Sequence, residues 1–321
     1  LGRRAIPVLL LLFLLTAARA EGFEGPLNII NSHPLMLALG SPSLESPRCE
    51  DSIGLYFTYS STYLVDASPG WAFGIDVETS VLELKAKKRF GKSLEAGLSV
   101  PLISHTDGFM DGFLEAYHGA FGFRDYGRSE RPQNEFLFSV LRGGDGVIMG
   151  RGGEIALGDL RASLKGALYA HDPYMSVYGF LSIPTGDPDR GFGSGSFSGG
   201  GAVLIEKSLS SRLMGYLNAG YVLAGELKAE EKVPLRDYPY GGAGLEWMYS
   251  ERLLLNMQFF LQGSPLEETG VEGVDKVPSI LSFGGRYVFK EGSAFEFSLS
   301  EDPTTSMAPD FMLTVGYTRR F

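Results

Sequence analysis

The chain is poor in the residues around which disulfide scaffolds, metal centres and hydrolases are built. It has one cysteine, Cys49, among 321 residues, so no internal disulfide forms and no disulfide framework holds the fold. Cys49 follows Ser-Pro-Arg, far from the N-terminal position of a lipid-modified cysteine, and reads as an inert or reactive surface thiol. Basic residues are scarce as well. The 28 Lys and Arg face 38 Asp and Glu, a net charge of -10 whose field repels phosphate backbones, so no nucleic acid partner is expected. Beyond residue 20 no window approaches 18 consecutive apolar residues, which leaves no transmembrane helix. No G-x-S-x-G, H-E-x-x-H or cysteine cluster occurs, and neither a metal nor a cofactor is expected.

What the chain has in excess is glycine, 43 residues, together with 12% aromatics. Glycine disfavours a helix interior by about 1 kcal/mol, whereas aromatics alternating with small residues suit pleated strands, so the composition points to an all-β protein. The N-terminus reads as an export signal. Arg3 and Arg4 precede the apolar run Val8 to Leu15, and Thr16-Ala17-Ala18-Arg19-Ala20 supplies a small-x-small cleavage site. Cleavage near Ala20 removes three arginines and leaves 25 bases against the 38 acids.

From residue 52 onward the chain divides into segments of roughly 10 to 15 residues with period-2 alternation, the texture of membrane-spanning strands. Leu253, Leu255, Met257, Phe259 and Leu261 fall on one face and Asn256, Gln258 and Gln262 on the other. Phe295, Phe297 and Leu299 oppose Glu296, Ser298 and Ser300 in the same way, as do Phe311, Leu313, Val315 and Tyr317 against Thr314, Gly316, Thr318 and Arg320. Strands are expected near 53–65, 74–90, 93–103, 156–170, 173–184, 198–208, 212–224, 238–249, 252–263, 278–290, 293–301 and 310–321.

Tight turns at 90–93, 171–173, 209–212, 249–252 and 290–293 alternate with long loops near 185–197, 225–237, 263–277 and 302–309. A soluble sandwich has no reason to keep that alternation. Trp247, Tyr249, Phe289, Phe90 and Tyr317 lie beside the short turns as an interfacial girdle would. The expected architecture is therefore an antiparallel up-and-down transmembrane β-barrel of about 12 strands in the outer membrane of a Gram-negative bacterium, covering 52–321. Its partners would be outer-membrane lipid and lipopolysaccharide; the loop acids Asp187, Asp189, Glu230 and Glu231 read by default as solvated loop charge, with bridging of divalent cations to lipopolysaccharide as the alternative. The last strand ends at Phe321 and resembles the signal read by the barrel assembly machinery, although Arg319 stands where that signal has an aromatic.

Residues 104–155 interrupt the rhythm as a long extracellular insert. Within it Phe109, Phe113, Tyr117 and Phe121 are spaced by four, with Asp111, Glu115 and His118 on a polar flank. That is an amphipathic helix signal, read first as a structural lid on the barrel mouth and otherwise as a gate, or as a helix lying in the outer leaflet that gathers an apolar ligand. Here the chain resembles an uncharacterised family of Gram-negative outer-membrane proteins, the domain-of-unknown-function family numbered three-one-eight-seven. The resemblance rests on Pro26-Leu27, Asn31 to Pro34, the stretch Asp111 to Gly122, Gly158-Asp159-Leu160-Arg161 and Pro184-Thr185-Gly186-Asp187. It implies a barrel and brings no activity or catalytic residues. The last element also looks similar to one in other barrel families, presumed channels for aromatic compounds among them.

On the faces assigned to the lumen lie Glu83, Lys85, Lys87, Arg89, Glu95, Arg161, Lys165, Glu246, Arg286, Glu296 and Arg320, able to set selectivity or to pair into a network that closes the bore. Residues 21–51 precede the first strand, either as a periplasmic segment or as a plug. A passive channel or transporter for small solutes, hydrophobic ones included, is the leading function, with a structural or adhesive barrel as the alternative. A lipid-modifying enzyme would have to draw on Ser104, His105, Asp107, Asp111, Glu115 and His118, none of them joined to a nucleophile motif, while His33 and His171 sit in a terminal segment and a turn. A soluble binder comes last.

Overall fold

The computed structural model describes residues 22–112, 114, 119, 132–289, 292–304 and 306–321. Twelve strands close into one antiparallel barrel: β1 (Ser52–Ala67), β2 (Trp71–Phe90), β3 (Leu94–Thr106), β7 (Leu160–Tyr169), β8 (Tyr174–Ile183), β9 (Ser198–Ser210), β10 (Leu213–Leu223), β13 (Tyr238–Met248), β14 (Leu253–Gln262), β15 (Ser279–Val288), β16 (Ser293–Glu301) and β17 (Phe311–Arg320). The first and last of them pair from Ser52↔Arg320 to Ser61↔Phe311, and this pairing closes the ring. No helix among the described residues is long and apolar enough to cross a membrane.

The two faces of each strand follow from side-chain alternation. In β16, Phe295, Phe297 and Leu299 are exposed while Glu296, Ser298 and Ser300 are buried. The same outward row continues through Leu55 and Phe57, Leu82 and Leu84, Leu255 and Met257, and Phe283 and Tyr287. Leaving a large apolar side chain in water forgoes roughly 1.5–3 kcal/mol, so a continuous belt of them calls for an apolar surround. Trp247, Tyr249, Phe289, Phe90 and Tyr317 are exposed near the short-turn end of that belt. Gly91 and Gly292 take left-handed φ values of 65° and 70° in two of the short turns, a conformation that favours glycine.

The segment expected as a 104–155 loop has strands of its own. Strand β3 runs on to Thr106, and β4 (Leu137–Arg142), β5 (Asp145–Met149) and β6 (Ile155–Leu157) follow. β4 adds to the part of β2 that projects beyond the ring, pairing Trp71↔Arg142 to Asp76↔Leu137, and β5 adds to β4. A second small hairpin, β11 (Glu226–Lys228) with β12 (Lys232–Pro234), stands in the loop between β10 and β13. Phe73, Ile75, Phe138, Ile148 and Leu227 from these projecting parts join Leu266 and Met307 from the loops after β14 and β16 in one apolar core that roofs the long-loop end of the barrel.

Beneath that roof, the chain ahead of β1 lies inside the ring. It climbs from Phe23, makes a short helix α1 (Pro34–Leu39) and descends to Asp51. His33 caps α1 by accepting the Leu35 N–H at Nδ1, 3.3 Å away, and Pro34 takes a first-turn position that needs no N–H. Gly40, at φ 83°, ends the helix. Leu35, Met36 and Leu39 of α1 are buried in the roof core, so the helix closes the bore from within.

Candidate functional site: the filled lumen

The ascending limb is held mainly by its backbone. The Glu24 N–H donates to Glu246 at 3.1 Å, the Leu27 N–H to Gln258 Oε1 at 3.0 Å and the Asn28 N–H to Glu296 Oε1 at 2.7 Å. Further up, Asn31 Nδ2 donates to the Met307 carbonyl at 2.8 Å and Ser32 meets the Ser60 hydroxyl at 2.8 Å. Leu27 and Ile29 pack with Leu44 of the other limb against Phe180, Leu204, Phe260 and Ile280 of the wall. This side of the segment is dry.

The descending limb supplies charge. The Glu45 carboxylate meets Lys87 Nζ at 2.8 Å and Lys85 Nζ at 3.8 Å. Arg48 Nε donates to Glu206 at 2.6 Å, and a second guanidinium nitrogen reaches the same carboxylate. Glu50 accepts from Arg320 at 2.5 Å. Around these contacts the wall pairs with itself, Lys165 with Glu95 at 2.7 Å and Arg286 with Glu296 at 2.5 Å. A buried charge is costly unless paired, and several of these wall charges find their partners only because the N-terminal segment is present. Burial alone would raise the Glu45 carboxyl, but Lys87, then Lys85 and Lys165, outweigh it and hold the group at about 2.

The inward positions named from alternation therefore converge on one network. Glu83, Glu95, Lys165, Glu246, Arg286 and Glu296 are buried in it, Lys85, Lys87, Arg161 and Arg320 are half-buried, and Arg89 is exposed at the short-turn rim, 3.6 Å from Asp51. Glu206 and the segment's own Glu45 and Arg48 belong to the same network and escaped the sequence reading. Glu206 stands beside Lys207 in β9, which gave no reason to prefer either as the inward residue.

Two sequence elements meet at the long-loop rim. Asp159 accepts the N–H groups of Thr185 at 3.1 Å, Gly186 at 3.0 Å and Ser194 at 2.9 Å, and the Ser194 hydroxyl at 3.1 Å. A side chain at Gly186 would put its Cβ 2.1 Å from the Phe192 carbonyl oxygen. Two residues on, Arg161 reaches inward and donates to the carbonyls of Gly40 at 3.0 Å and Ser41 at 2.7 Å, at the end of α1. The Gly-Asp-Leu-Arg stretch thus fixes an outer loop with its acid and the N-terminal segment with its base.

The aromatic stripe expected as a gate lies elsewhere or outside the described residues. Phe113, Glu115, Tyr117, His118 and Phe121 are outside them. Phe109 is 74% exposed and stacks on the outward-facing Tyr59, ring centroids 5.6 Å apart. The start of the insert is strapped to the outside of the wall through Glu78, which accepts the Phe109 N–H at 2.7 Å, the Met110 N–H and the Tyr59 hydroxyl. Asp111 accepts the Asn134 N–H at 2.7 Å. The aromatic group over the bore is instead Phe192, stacked on His105 at 5.3 Å, with Phe138 edge-on to His105 at 5.1 Å.

Of the histidines weighed for hydrolysis, His105 is buried with Nδ1 2.9 Å from the Thr79 hydroxyl. Ser104 points to the opposite face of β3, so the two adjacent residues form no Ser–His unit. No group of three or more metal-ligating side chains is assembled among the described residues. Asp187, Asp189 and Glu231 serve local bonds, to Arg190 at 3.7 Å, the Glu230 N–H at 2.7 Å and Arg142 at 3.3 Å.

The family model described as protein of unknown function (DUF3187) matches residues 6–321. Among solved structures, the COG4313 outer membrane channel from Pseudomonas putida F1 is similar over 85% of this chain and 96% of its own, at 13% identity and a TM-score of 0.56. It shares the barrel fold. Looser likenesses are the NanC porin, at 7% identity over 84% of this chain and 100% of its own with a TM-score of 0.49, and the Pseudomonas putida toluene transporter TodX, at 12% over 92% and 98% with a TM-score of 0.40. No curated protein matches the chain.

Proposed function

This chain belongs to the DUF3187 family of proteins of unknown function, and we propose that it is an outer-membrane channel for small solutes whose bore is closed by residues 22–51 acting as a plug. In this reading the short turns and both ends of the described chain face the periplasm, the roofed end faces outward, and the apolar belt is in contact with membrane lipid, lipopolysaccharide on the outer side. The barrel assembly machinery would insert it through β17. One observation carries the proposal. The lumen is closed by a separate segment of the chain, and alongside its apolar contacts that segment is held by ion pairs and hydrogen bonds such as Arg48 to Glu206 and Arg161 to the Gly40 carbonyl, for which water supplies alternative partners once the segment moves.

The test is current through planar bilayers, comparing the chain with a form lacking residues 22–50, with heat-modifiable migration in detergent gels as the check that each barrel is folded. The chain should pass small or rare currents and the shortened form larger ones. A folded barrel silent in both forms would favour the second reading, a structural or adhesive barrel, which the apolar roof around Phe73, Phe138 and Met307 supports. Fatty acid release from phospholipid, lost in His105→Ala, would instead select an enzyme.

A further inference from the structure

The plug is not seated alike on all sides. Towards β8, β9, β14 and β15 it is dry, with Leu27, Ile29 and Leu44 packed against Phe180, Leu204, Phe260 and Ile280. Towards β2, β3 and β7 it stands away from the wall around two cavities of about 50 and 20 Å³, and a third of about 50 Å³ adjoins them lower down, between the plug and β1, β2, β16 and β17. The lowest reaches Glu24, Glu50 and Arg320 near the short turns and shares Glu45, Lys85 and Lys87 with the middle one. The middle cavity shares Glu83, Ser99 and Arg161 with the highest, which ends at Ile103 and Leu37. Both of those residues pack with Phe192, so an apolar stopper ends the series.

We propose that this series is a water-filled seam and the route taken by solute, and that it selects small hydrophilic solutes and ions over apolar ones. The inference rests on the channel reading and gives it a path. A cavity of roughly 10–15 Å³ already holds a water when polar groups surround it, and each of the three exceeds that. The buried Arg161 Nε, beside both upper cavities, has no hydrogen-bond partner among the described residues, as a group facing water would. Lys85 lies 3.7 Å from Glu83 and 3.8 Å from Glu45, so both signs of charge line the seam. An apolar solute entering it would strip water from those charges without replacing the lost hydrogen bonds, whereas a hydrated ion or a zwitterion replaces them.

The experiment uses the whole chain in a Cys49→Ser background, with single cysteines at Ser99 and Ser163 on the seam and at Ala202 and Ile280 on the dry side. The probe is silver ion, a thiol-reactive cation that goes where water goes. In folded, heat-modifiable protein, Ser99→Cys and Ser163→Cys should react at least tenfold faster than Ala202→Cys and Ile280→Cys, and all four should react alike after boiling. Silver should then block bilayer current and glycine-driven liposome swelling in the seam variants alone. Seam cysteines no faster than the dry ones would overturn the seam. Fast reaction with current and swelling unchanged would overturn it as the route while leaving the channel reading intact; folded variants silent before silver is added would overturn the route, and the channel reading with it only if the form lacking residues 22–50 is silent as well.

Discussion

Replacing Arg48 by methionine tests how the plug is held, because the side chain keeps its apolar stem and loses only the guanidinium. Glu206 is fully buried, and its carboxylate is met by two guanidinium nitrogens of Arg48 and by the Ser46 hydroxyl at 3.3 Å. Arg48 also donates to the Phe23 carbonyl at 2.9 Å. Removing one partner of a fully buried pair costs about 3–5 kcal/mol. With 28% of the Arg48 side chain exposed, solvent screening brings that to about 2–3 kcal/mol. The cost falls on the seated state, since water reaches Glu206 once the plug leaves. At roughly 1.4 kcal/mol per tenfold, the plug-out population should rise about 30- to 150-fold. Bilayer current should increase accordingly in Arg48→Met, and Arg48→Met combined with Glu206→Gln should recover most of the closure, as two groups coupled through one contact do. Unchanged current in the single variant, or a double variant as leaky as the single, would refute the reasoning.

Acid should release the plug. Burial, with His105 nearby, pushes the His33 imidazole down to about 3 from its ordinary 6.5, so between those values the seated state binds fewer protons than the released one and seating weakens as pH falls. Glu45, held at about 2 against an ordinary 4.5, loses its contribution as pH falls through that lower window. In a barrel still heat-modifiable, current that stays flat from pH 7 to pH 4 would contradict the His33 account, and current that stays flat from pH 4.5 to pH 2 would contradict the Glu45 account. Asp159→Ala removes a carboxylate that accepts four hydrogen bonds; with the rim partly exposed, a loss of about 2–4 kcal/mol is expected, read as a lower heat-modification temperature, and no change would dismiss its anchoring role. Gly108→Ala sets a side chain at φ 72° with its Cβ 1.9 Å from the Glu78 carboxyl carbon, so the insert should become protease-sensitive while the barrel stays heat-modifiable; equal protection would show that the Glu78 strap is dispensable.

The barrel strands were legible because their outward row is apolar and their inward row is not. The expected 293–301 and 238–249 match β16 and β13 to within a residue. β4, β5 and β6 were not legible, being three to six residues long, too short for period-2 alternation to stand out. The inward charges could be read from the same alternation, but their partners could not. Asn28 meets Glu296 across 268 residues and Arg48 meets Glu206 across 158, and the plug has no repeating pattern to align with the wall. Phe192 is hidden for a different reason. In Arg-Gly-Phe-Gly-Ser-Gly it reads as a loop residue, and only the fold of that loop, pinned by Asp159, carries it to His105.

The central claim is that movement of residues 22–51 opens the bore, and a reversible tether tests it in the intact chain. The hydroxyls of Ser32 on the plug and Ser60 on β1 are 2.8 Å apart and both buried, close enough for a disulfide between cysteines at the two positions. In a Cys49→Ser background, Ser32→Cys with Ser60→Cys should pass no more than the small seam current in planar bilayers when oxidised and should gain larger currents when a reductant is added to the same membrane. Equal current before and after reduction, with the cross-link verified, would mean that the plug does not gate this barrel.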